Sequence, residues 1–269
     1  YHYLKRPYEL IASTLEQVPV PRFYAADGRE LPADAAVELI AESVYELKLK
    51  QGIRFQPHPA FALDSHGQPL FIGKNLADGR QTIADFPQVG SRELTADDYI
   101  YQIKRLAHPR LHSPIFGMMA DKIVGLKALG ERLGKVAKDL PADEWLDLDQ
   151  FPLTGIEKLD SHTWRIRIKG KYPQFLYWLA MPFFAPVPRE ADRFFAQPGM
   201  AAKNLTLDWW PLAVLANSCA LPSGDRLRFS RVRWSAAWYS VHAALASRSI
   251  CGITVHPLGR LPDSLGLLP

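Results

Sequence analysis

One run of this sequence alternates strictly between polar and apolar side chains, Thr163-Trp164-Arg165-Ile166-Arg167-Ile168-Lys169. A period of two residues is typical of a β-strand with one buried face, so the run predicts a half-buried strand. A shorter apolar run, Gly155-Ile156-Glu157-Lys158-Leu159, precedes it, and Asp160-Ser161-His162 separates the two. This spacing predicts a β-hairpin.

Upstream of the hairpin, the same reasoning predicts a second long strand over residues 44–49, which also alternate with a period of two. Residues 33–43 predict a short amphipathic helix. Residues 1–32 predict strand and loop around a tight turn at Asp27-Gly28, because Asp-Gly favours positive φ. Residues 51–92 lack sustained periodicity and predict long loops with short strands.

Capping residues and apolar spacing predict three helices. Thr95, followed by Asp97 and Asp98, places an N-cap oxygen and first-turn carboxylates at the start of a helix. Residues 116–139 predict a second, continuous helix, and residues 173–181 predict a third. Helices and strands therefore alternate, which predicts a mixed α/β fold and leaves its topology open.

Composition is that of a globular protein, with 48% apolar and 22% charged residues. No uninterrupted apolar run reaches the roughly eighteen residues that predict a membrane span. The net charge of +4 resides in residues 211–269, where six arginines face two acids, so residues 1–210 are neutral overall. A neutral body lacks the clustered Lys and Arg of a phosphate-binding face, and we expect no nucleic-acid partner.

Motifs of common enzyme classes are missing from the sequence. A phosphate-binding loop needs Gly-x-x-x-x-Gly-Lys-Ser/Thr, and the nearest approach, Gly134-Lys135, lacks both the first glycine and the final hydroxyl. Neither a dinucleotide-binding glycine pattern nor a Gly-x-Ser-x-Gly elbow occurs. We therefore predict that the chain is not an enzyme, and we assign no catalytic residue and no cofactor.

Two groups of histidines are the candidates for metal binding. His108 and His112 have the spacing that shares a helix face, although a proline lies between them, and with a distant carboxylate they would make the chain a metallohydrolase. His58, Asp64 and His66 form a second polar cluster with no further ligand nearby in the sequence. Capping and solvated loop roles explain both groups, so we assign no metal site.

Aromatic side chains form a third kind of candidate site. Flat ring faces stack on sugars or bases, but core packing explains the same residues and is favoured for those on strands and helices. The residues concerned are Trp164, Tyr177, Trp178 and the pair Trp209-Trp210.

Several segments occur together in an order and spacing that resemble one known family. They are Tyr45 to Leu49 with Gly52-Ile53-Arg54-Phe55, Glu93 to Leu106, Gly155-Ile156-Glu157, Thr163 to Ile168, Tyr172-Pro173, Leu179-Ala180-Met181-Pro182 and Ala185-Pro186-Val187-Pro188. The series resembles the extracellular solute-binding protein family 5, the peptide, nickel and oligopeptide receptors of ABC importers. The likeness spans residues 1–210, and the opening residues 1–7 are similar to a subgroup of proteobacterial members with long loops.

This resemblance implies a fold, a function and a location. Members of the family are secreted or lipid-anchored, fold as two lobes on a hinge, the type II, cluster C arrangement of periplasmic binding proteins, and close on a peptide held largely through its backbone. The chain is then the periplasmic substrate-binding component of a peptide importer, a monomer whose partners are a peptide and the permease subunits in the inner membrane. Any targeting peptide is expected to lie outside the present chain. The residues that line the ligand cleft stay unassigned.

The resemblance stops after Trp209-Trp210-Pro211. There the family continues with a glycine-rich stretch, whereas residues 211–269 are rich in Leu, Ala, Ser and Pro and hold both cysteines. We hypothesise that residues 212–269 are an out-of-frame translation of a GC-rich gene and form an irregular, poorly ordered tail; the alternative is a lineage-specific extension. Residues 1–210 would then be an incomplete first lobe, or the whole chain a truncated, non-functional product.

Overall fold

A computed structural model of the chain describes residues 9–73, 82–141, 144–201, 205, 207 and 253–256. The strands in these residues are β1 (Glu9–Ala12), β2 (Arg22–Tyr24), β3 (Glu30–Leu31), β4 (Glu42–Lys48), β5 (Ile156–Lys158), β6 (Thr163–Lys169) and β7 (Ile253–His256). Five of them form one antiparallel sheet in the order β3-β2-β4-β6-β5. The predicted mixture of helix and sheet is confirmed, and the sheet is antiparallel.

The hairpin predicted from the alternating run is confirmed, because β5 and β6 pair directly. Its turn is held by the carboxylate of Asp160, which accepts the backbone N–H groups of His162 at 2.7 Å and Thr163 at 2.8 Å. Such an Asx turn satisfies backbone donors that the ladder leaves free. The hairpin is therefore specified locally, by residues close together in the sequence.

The central pair of the sheet consists of β4 and β6, which are in register over their full length from Glu42↔Lys169 to Lys48↔Thr163. Their inward side chains are at most 3% exposed and form the middle of the core: Tyr45, Leu47, Trp164, Ile166 and Ile168. Charged residues alternate with them on the opposite, outer face. The sheet thus has one packed face and one solvated face, as antiparallel sheets commonly do.

The described helices are α1 (Ala96–Leu106), α2 (Phe116–Ala120), α3 (Leu126–Asp139), α4 (Phe175–Leu179) and α5 (Arg189–Phe195). The predicted start of α1 is confirmed, since the carboxylate of Asp98 accepts the backbone N–H of Thr95 at 2.8 Å in a capping box. Tyr99 of α1 stacks on Trp164 of β6 with ring centroids 6.0 Å apart. This contact docks the helix on the packed face of the sheet.

The single helix predicted over residues 116–139 is wrong, because the chain leaves the helical path between α2 and α3. Ile123 there is fully buried and forms a β-bridge with Ile168 of β6. Gly125 then adopts a φ of +79°, and a Cβ at this position would overlap the hydroxyl oxygen of Thr154. Bonding to the end of the central strand thus replaces one turn of helix that the apolar spacing had predicted.

The short amphipathic helix predicted over residues 33–43 is also wrong. Residues Val37–Leu39 form one 3-10 turn, and β4 already begins at Glu42. The apolar side chains of Val37 and Leu39 are 56% and 60% exposed, so no core packs against them. An amphipathic face stabilises a helix only where it is buried. The third predicted helix, over residues 173–181, is confirmed as the shorter α4.

The predicted loops over residues 51–92 are confirmed for the described part of that range, which contains two 3-10 turns, Pro59–Phe61 and Ile83–Asp85. The predicted short strands are reduced there to isolated β-bridges. The two sides of the loop region are joined where His58 and Gly90 exchange backbone hydrogen bonds of 2.9 and 3.1 Å. A Cβ at Gly90 would overlap the carbonyl of Phe61. The close backbone approach therefore requires glycine.

A second, two-stranded sheet joins the two ends of the described chain, since β1 pairs antiparallel with β7. Apart from these four residues of β7, the tail of residues 211–269 lies outside the described residues, as do the predicted boundary at residue 211 and the predicted poor order of the tail. In the described part of the chain, no helix combines the length and the apolar character that crossing a bilayer requires.

Candidate functional site

The outer face of the main sheet carries a shallow groove of about 200 Å³. We call it the sheet groove, and its lining side chains come from β2, β4, β5, β6 and the residue two positions before β2: Val20, Arg22, Tyr24, Val44, Glu46, Glu157, Arg165 and Arg167. Outward positions on a strand lie two residues apart. The alternation of residues 163–169 in the sequence therefore already places Arg165 and Arg167 on one face.

Ion pairs across the strands hold two of the three arginines of the sheet groove. Arg165 donates to Glu46 at 2.9 Å and lies 3.6 Å from Glu157. Arg167 donates two hydrogen bonds to Glu42, of 2.8 and 3.0 Å. These pairs are largely exposed, so each stabilises the fold by no more than about 1 kcal/mol. They fix the directions of the two guanidinium groups.

A second concentration of charge lies where the starts of α1 and α5 meet. Arg92 uses all five N–H donors of its guanidinium group. Two bind Asp98 at 2.9 and 2.6 Å, two bind Glu190 at 2.8 and 2.7 Å, and one binds the backbone carbonyl of Glu93 at 3.0 Å. The group thus clamps a loop and two helices together through charge-assisted bonds.

The surroundings of Arg92 are apolar as well as charged. Its guanidinium lies 5.2 Å from the ring centroid of Phe55 and 5.5 Å from that of Phe61, within cation–π range. The side chain of Asp98 is 2% exposed. Burial raises the pKa of Asp98, against the opposing effect of its hydrogen bonds with Arg92. The carboxylate therefore depends on Arg92 to stay ionised.

A third polar network surrounds Asp192 in α5. Its carboxylate accepts hydrogen bonds from Arg105 Nε at 2.7 Å, from the hydroxyl of Tyr101 at 2.8 Å and from Trp145 Nε1 at 2.9 Å. Arg105, which is 2% exposed, also donates to the backbone carbonyl of Leu207 at 2.8 Å. Although burial opposes it, the charge of Arg105 and these hydrogen bonds lower the pKa of Asp192. The network joins α1, α5 and the loop before β5.

A concave site of about 190 Å³ lies beside this network. Trp145 forms part of its wall, with the guanidinium groups of Arg189 and Arg193 5.7 and 5.5 Å from the ring centroid. Arg110 in the same wall donates to three backbone carbonyls at and beyond the end of α3. A cation there caps the helix C-terminus. Asp192 and Arg110 at this site are thus engaged in holding the fold.

The two candidate metal ligands His108 and His112 do not share a helix face. α1 ends at Leu106, and Nδ1 of His108 accepts the backbone N–H of Arg110 at 3.2 Å in the following turn. His112 is exposed and has a φ of +48°. The helical spacing of the two histidines is not realised, because Pro109 cannot continue a helix. In the described ranges, no group of three or more His, Cys, Asp or Glu side chains is arranged to hold a metal ion.

His58 lies in the core and not in a polar cluster. It is 8% exposed, and its ring contacts those of Phe194 and Phe195 with centroids 5.4 and 5.5 Å apart. Its Nδ1 accepts the backbone N–H of Ala60 at 3.1 Å and caps a 3-10 turn. Burial lowers the pKa of His58 to about 4. The side chain is therefore neutral across most of the pH range in which proteins are stable.

We expect His58→Asn to flatten the pH dependence of stability between about pH 6.5 and about pH 4. In the unfolded chain the pKa of histidine is about 6.5. Between this pH and about pH 4 the unfolded state therefore binds more protons than the folded state. As a result, the free energy of unfolding of the wild type decreases by up to about 1.4 kcal/mol for each pH unit by which the pH is lowered. Asparagine keeps an acceptor for the N–H of Ala60 and does not titrate. Urea unfolding across this window measures the slopes, with exposed His66→Asn as the control. Equal slopes for His58→Asn and wild type would contradict a buried neutral imidazole.

Asp64 and His66 belong to a loop turn and do not form a metal-ligand set with His58. The carboxylate of Asp64 accepts the backbone N–H groups of His66 and Gln68, both at 2.9 Å. The side chain of His66 is exposed. This is an Asx turn of the kind that aspartate forms in loops, and it accounts for the polar residues without a metal.

The aromatic candidates have separate roles. Trp164 has no exposed surface, so the core interpretation is confirmed for it. Trp178 donates from Nε1 to the hydroxyl of Tyr172 at 2.8 Å, and Tyr177 beside it is 47% exposed. Trp209-Trp210 lies outside the described residues. The described rings therefore do not form one stacking platform.

The sequence alone gave no reason to assign a role to Arg22, Arg92 or Asp192. Arg92 binds Glu190, 98 residues away, and Asp192 binds Tyr101, 91 residues away, so the spacing of neighbouring residues does not reveal either network. For Asp192 one signal was present, because Pro188 followed by acidic residues is typical of a helix start. The missing information for Arg22 was the pairing of β2 with β4.

A scan against protein-family models finds no match to this chain. A search of curated proteins likewise finds none.

Proposed function

We propose that this chain is the substrate-binding component of an ABC importer for peptides, which captures the solute and delivers it to the permease without covalent chemistry. The proposal rests on the ordered series of segments that resembles the extracellular solute-binding protein family 5. Its partners would be a peptide and the permease subunits of the inner membrane. Its location would be the periplasm, its state a monomer, and its fold the first lobe of a type II, cluster C binding protein.

The observation that carries the proposal is that the segments of this series pack together in one unit. β4 from the first segment pairs along its whole length with β6 from a later one. α1, from the segment between them, stacks Tyr99 on Trp164 of β6. The proline-containing segment that ends the series is tied to α1, since the backbone N–H of Val187 donates to the carbonyl of Asp98 at 3.2 Å. The segments share one core, which supports the view that the whole series was inherited together from one ancestral protein.

The concave sites of the described body suit one wall of a two-walled binding site. The sheet groove and the site beside Trp145 hold about 200 and about 190 Å³. Pockets that enclose a small molecule measure about 300–1,000 Å³ and bury most of the ligand surface. A peptide on this body would be covered only by a second lobe. We therefore expect the chain alone to bind peptides weakly, with a Kd on the order of 1 mM, or about −4 kcal/mol.

Titration of the isotope-labelled full chain with a pool of short peptides tests the proposal by NMR. We expect saturable chemical-shift changes in the millimolar range with peptides, and none with a control pool of monosaccharides. The absence of any shift up to about 10 mM peptide would contradict a peptide-binding role. Micromolar affinity in calorimetry would contradict the view that this body is a single wall, because it would require an enclosed site.

A further inference from the structure

Arg22 belongs to a row of the sheet groove in which two arginines flank a valine. In the strand register Arg22 lies opposite Val44, and Val44 lies opposite Arg167. Adjacent strands are about 4.8 Å apart, so the backbones of Arg22 and Arg167 are about 10 Å apart with Val44 between them. An arginine side chain is long enough for the guanidinium of Arg22 to reach an anion above the valine. Glu42 occupies Nε and Nη2 of Arg167, so Nη1 is the group with which Arg167 would share that anion.

Arg22 is the arginine of the sheet groove whose charge has no carboxylate partner among the described residues. Arg165 is paired with Glu46 and Glu157, and Arg167 with Glu42 outside the groove lining. Arg22 is exposed, and no carboxylate of the described residues pairs with it. Among the arginines that line the groove, Arg22 is thus the one without a carboxylate partner in the described residues, and an anion arriving there would serve as its counter-ion.

The floor of the groove next to Arg22 is apolar. Val20 is 81% exposed and lies two residues before Arg22 on the same side of the chain, and Val44 forms the middle of the row. Tyr24 continues this side of the chain beyond Arg22. A ligand that fits has one carboxylate beside a small aliphatic group. A phosphodiester chain fits less well, because it needs a larger basic surface.

We propose that the sheet groove binds a peptide through a carboxylate held between Arg22 and Arg167, with an aliphatic side chain of the peptide resting on Val20 and Val44. The inference rests on the proposed function and names its ligand class as acidic peptides. A guanidinium group presents two parallel donors to a carboxylate, which gives both strength and direction. Because the groove is open to water, the interaction weakens as salt screens the charges.

Two peptides that differ by one group test the inference on the full chain. The probes are acetyl-Ala-Val-Glu-amide and the neutral acetyl-Ala-Val-Gln-amide, titrated by NMR at low salt. We expect the glutamate peptide to bind about tenfold more tightly, because its carboxylate forms exposed ion pairs with two arginines, each worth up to about 1 kcal/mol. Its shifts should centre on the amides of Val20 and Val44, and its affinity should fall once the pH drops below about 4, where the peptide carboxyl protonates.

The variant Arg22→Gln removes the unpaired charge without touching the core. It should reduce binding of the glutamate peptide about threefold, because the pair with Arg167 remains, and leave the glutamine peptide unchanged. The matched control is Arg29→Gln, an exposed arginine in the turn between β2 and β3 that pairs with Asp27 at 3.9 Å. It should change neither affinity. Equal melting temperatures for both variants and wild type show that the fold is kept.

The remaining outcomes separate the inference from the proposed function. If both peptides bind equally and Arg22→Gln has no effect, the inference is overturned while peptide binding stands. If shifts appear only for residues outside the sheet groove, the inference is likewise overturned. If neither peptide produces any shift, both the inference and the proposed function fail.

Discussion

Replacing Arg92 with alanine is expected to lower the free energy of unfolding by about 3–5 kcal/mol, because the change leaves a buried carboxylate without its counter-ion. Arg92 makes four hydrogen bonds to Asp98 and Glu190 and one to a backbone carbonyl. With the guanidinium gone, the side chain of Asp98, 2% exposed, keeps only the donors of Thr95. Urea unfolding at neutral pH measures the loss.

Two variants make the test of Arg92 specific. Arg92→Lys keeps the charge but offers three donors without the planar fork, so we expect it to recover only part of the loss. Arg29→Ala removes an arginine from an exposed ion pair and should cost under about 1 kcal/mol. The cost of Arg92→Ala should also shrink toward pH 4, since burial raises the pKa of Asp98 and protonation removes the uncompensated charge. A loss no larger than that of the Arg29 variant would refute the role given to this clamp.

Asp192→Asn is expected to destabilise the protein by about 3 kcal/mol. The carboxylate accepts bonds from Arg105, Tyr101 and Trp145, and an amide cannot accept on both sides because one of its two groups is a donor. The substitution also deprives the charge of Arg105, whose side chain is 1% exposed, of this carboxylate. Differential scanning calorimetry or urea unfolding at neutral pH would show the change.

The pH dependence gives a second readout for Asp192. Since the pKa of the folded carboxyl is lowered, its stabilisation is fully present above the unfolded value of about 3.9 and is lost as the pH falls through the folded value. The difference between wild type and Asp192→Asn should therefore be largest near neutral pH and shrink below about pH 4. Asp121→Asn, in an exposed pair with Lys127 at 3.7 Å, is the control and should be nearly neutral. A difference that does not change with pH would mean that charge is not the cause.

Local patterns predicted much of the fold. The alternation of residues 163–169, the Asp160 turn and the capping box at Thr95 each depend on neighbours within a few positions, and each is confirmed. The predictions over residues 33–43 and 116–139 were wrong because tertiary contacts decided them. In the first case no core meets the apolar face, and in the second Ile123 bonds to β6 in place of extending a helix.

The candidate sites were less accessible from the sequence than the strands that carry them. The alternation places Arg165 and Arg167 on one face, but Arg22 joins them only through the register of β2 against β4. Histidine spacing was a misleading signal, because His108 and His112 follow the end of α1 and His58 packs against phenylalanines. The charge clusters depend on which distant residues pair in the fold. The spacing of neighbouring residues in a single sequence does not show these pairings.

The register of the central strand pair has a consequence for the order of events during synthesis. Ser43 and Gly170, joined by a hydrogen bond of 2.6 Å beside the last pair of the ladder, are 127 residues apart. Contacts between such distant residues slow folding, because the intervening chain loses entropy before the contact stabilises it. At about 5–20 residues per second, β4 leaves the ribosome on the order of ten seconds before its partner exists. During that interval Tyr45 and Leu47 of the nascent chain, which are buried in the folded protein, lack their strand partner.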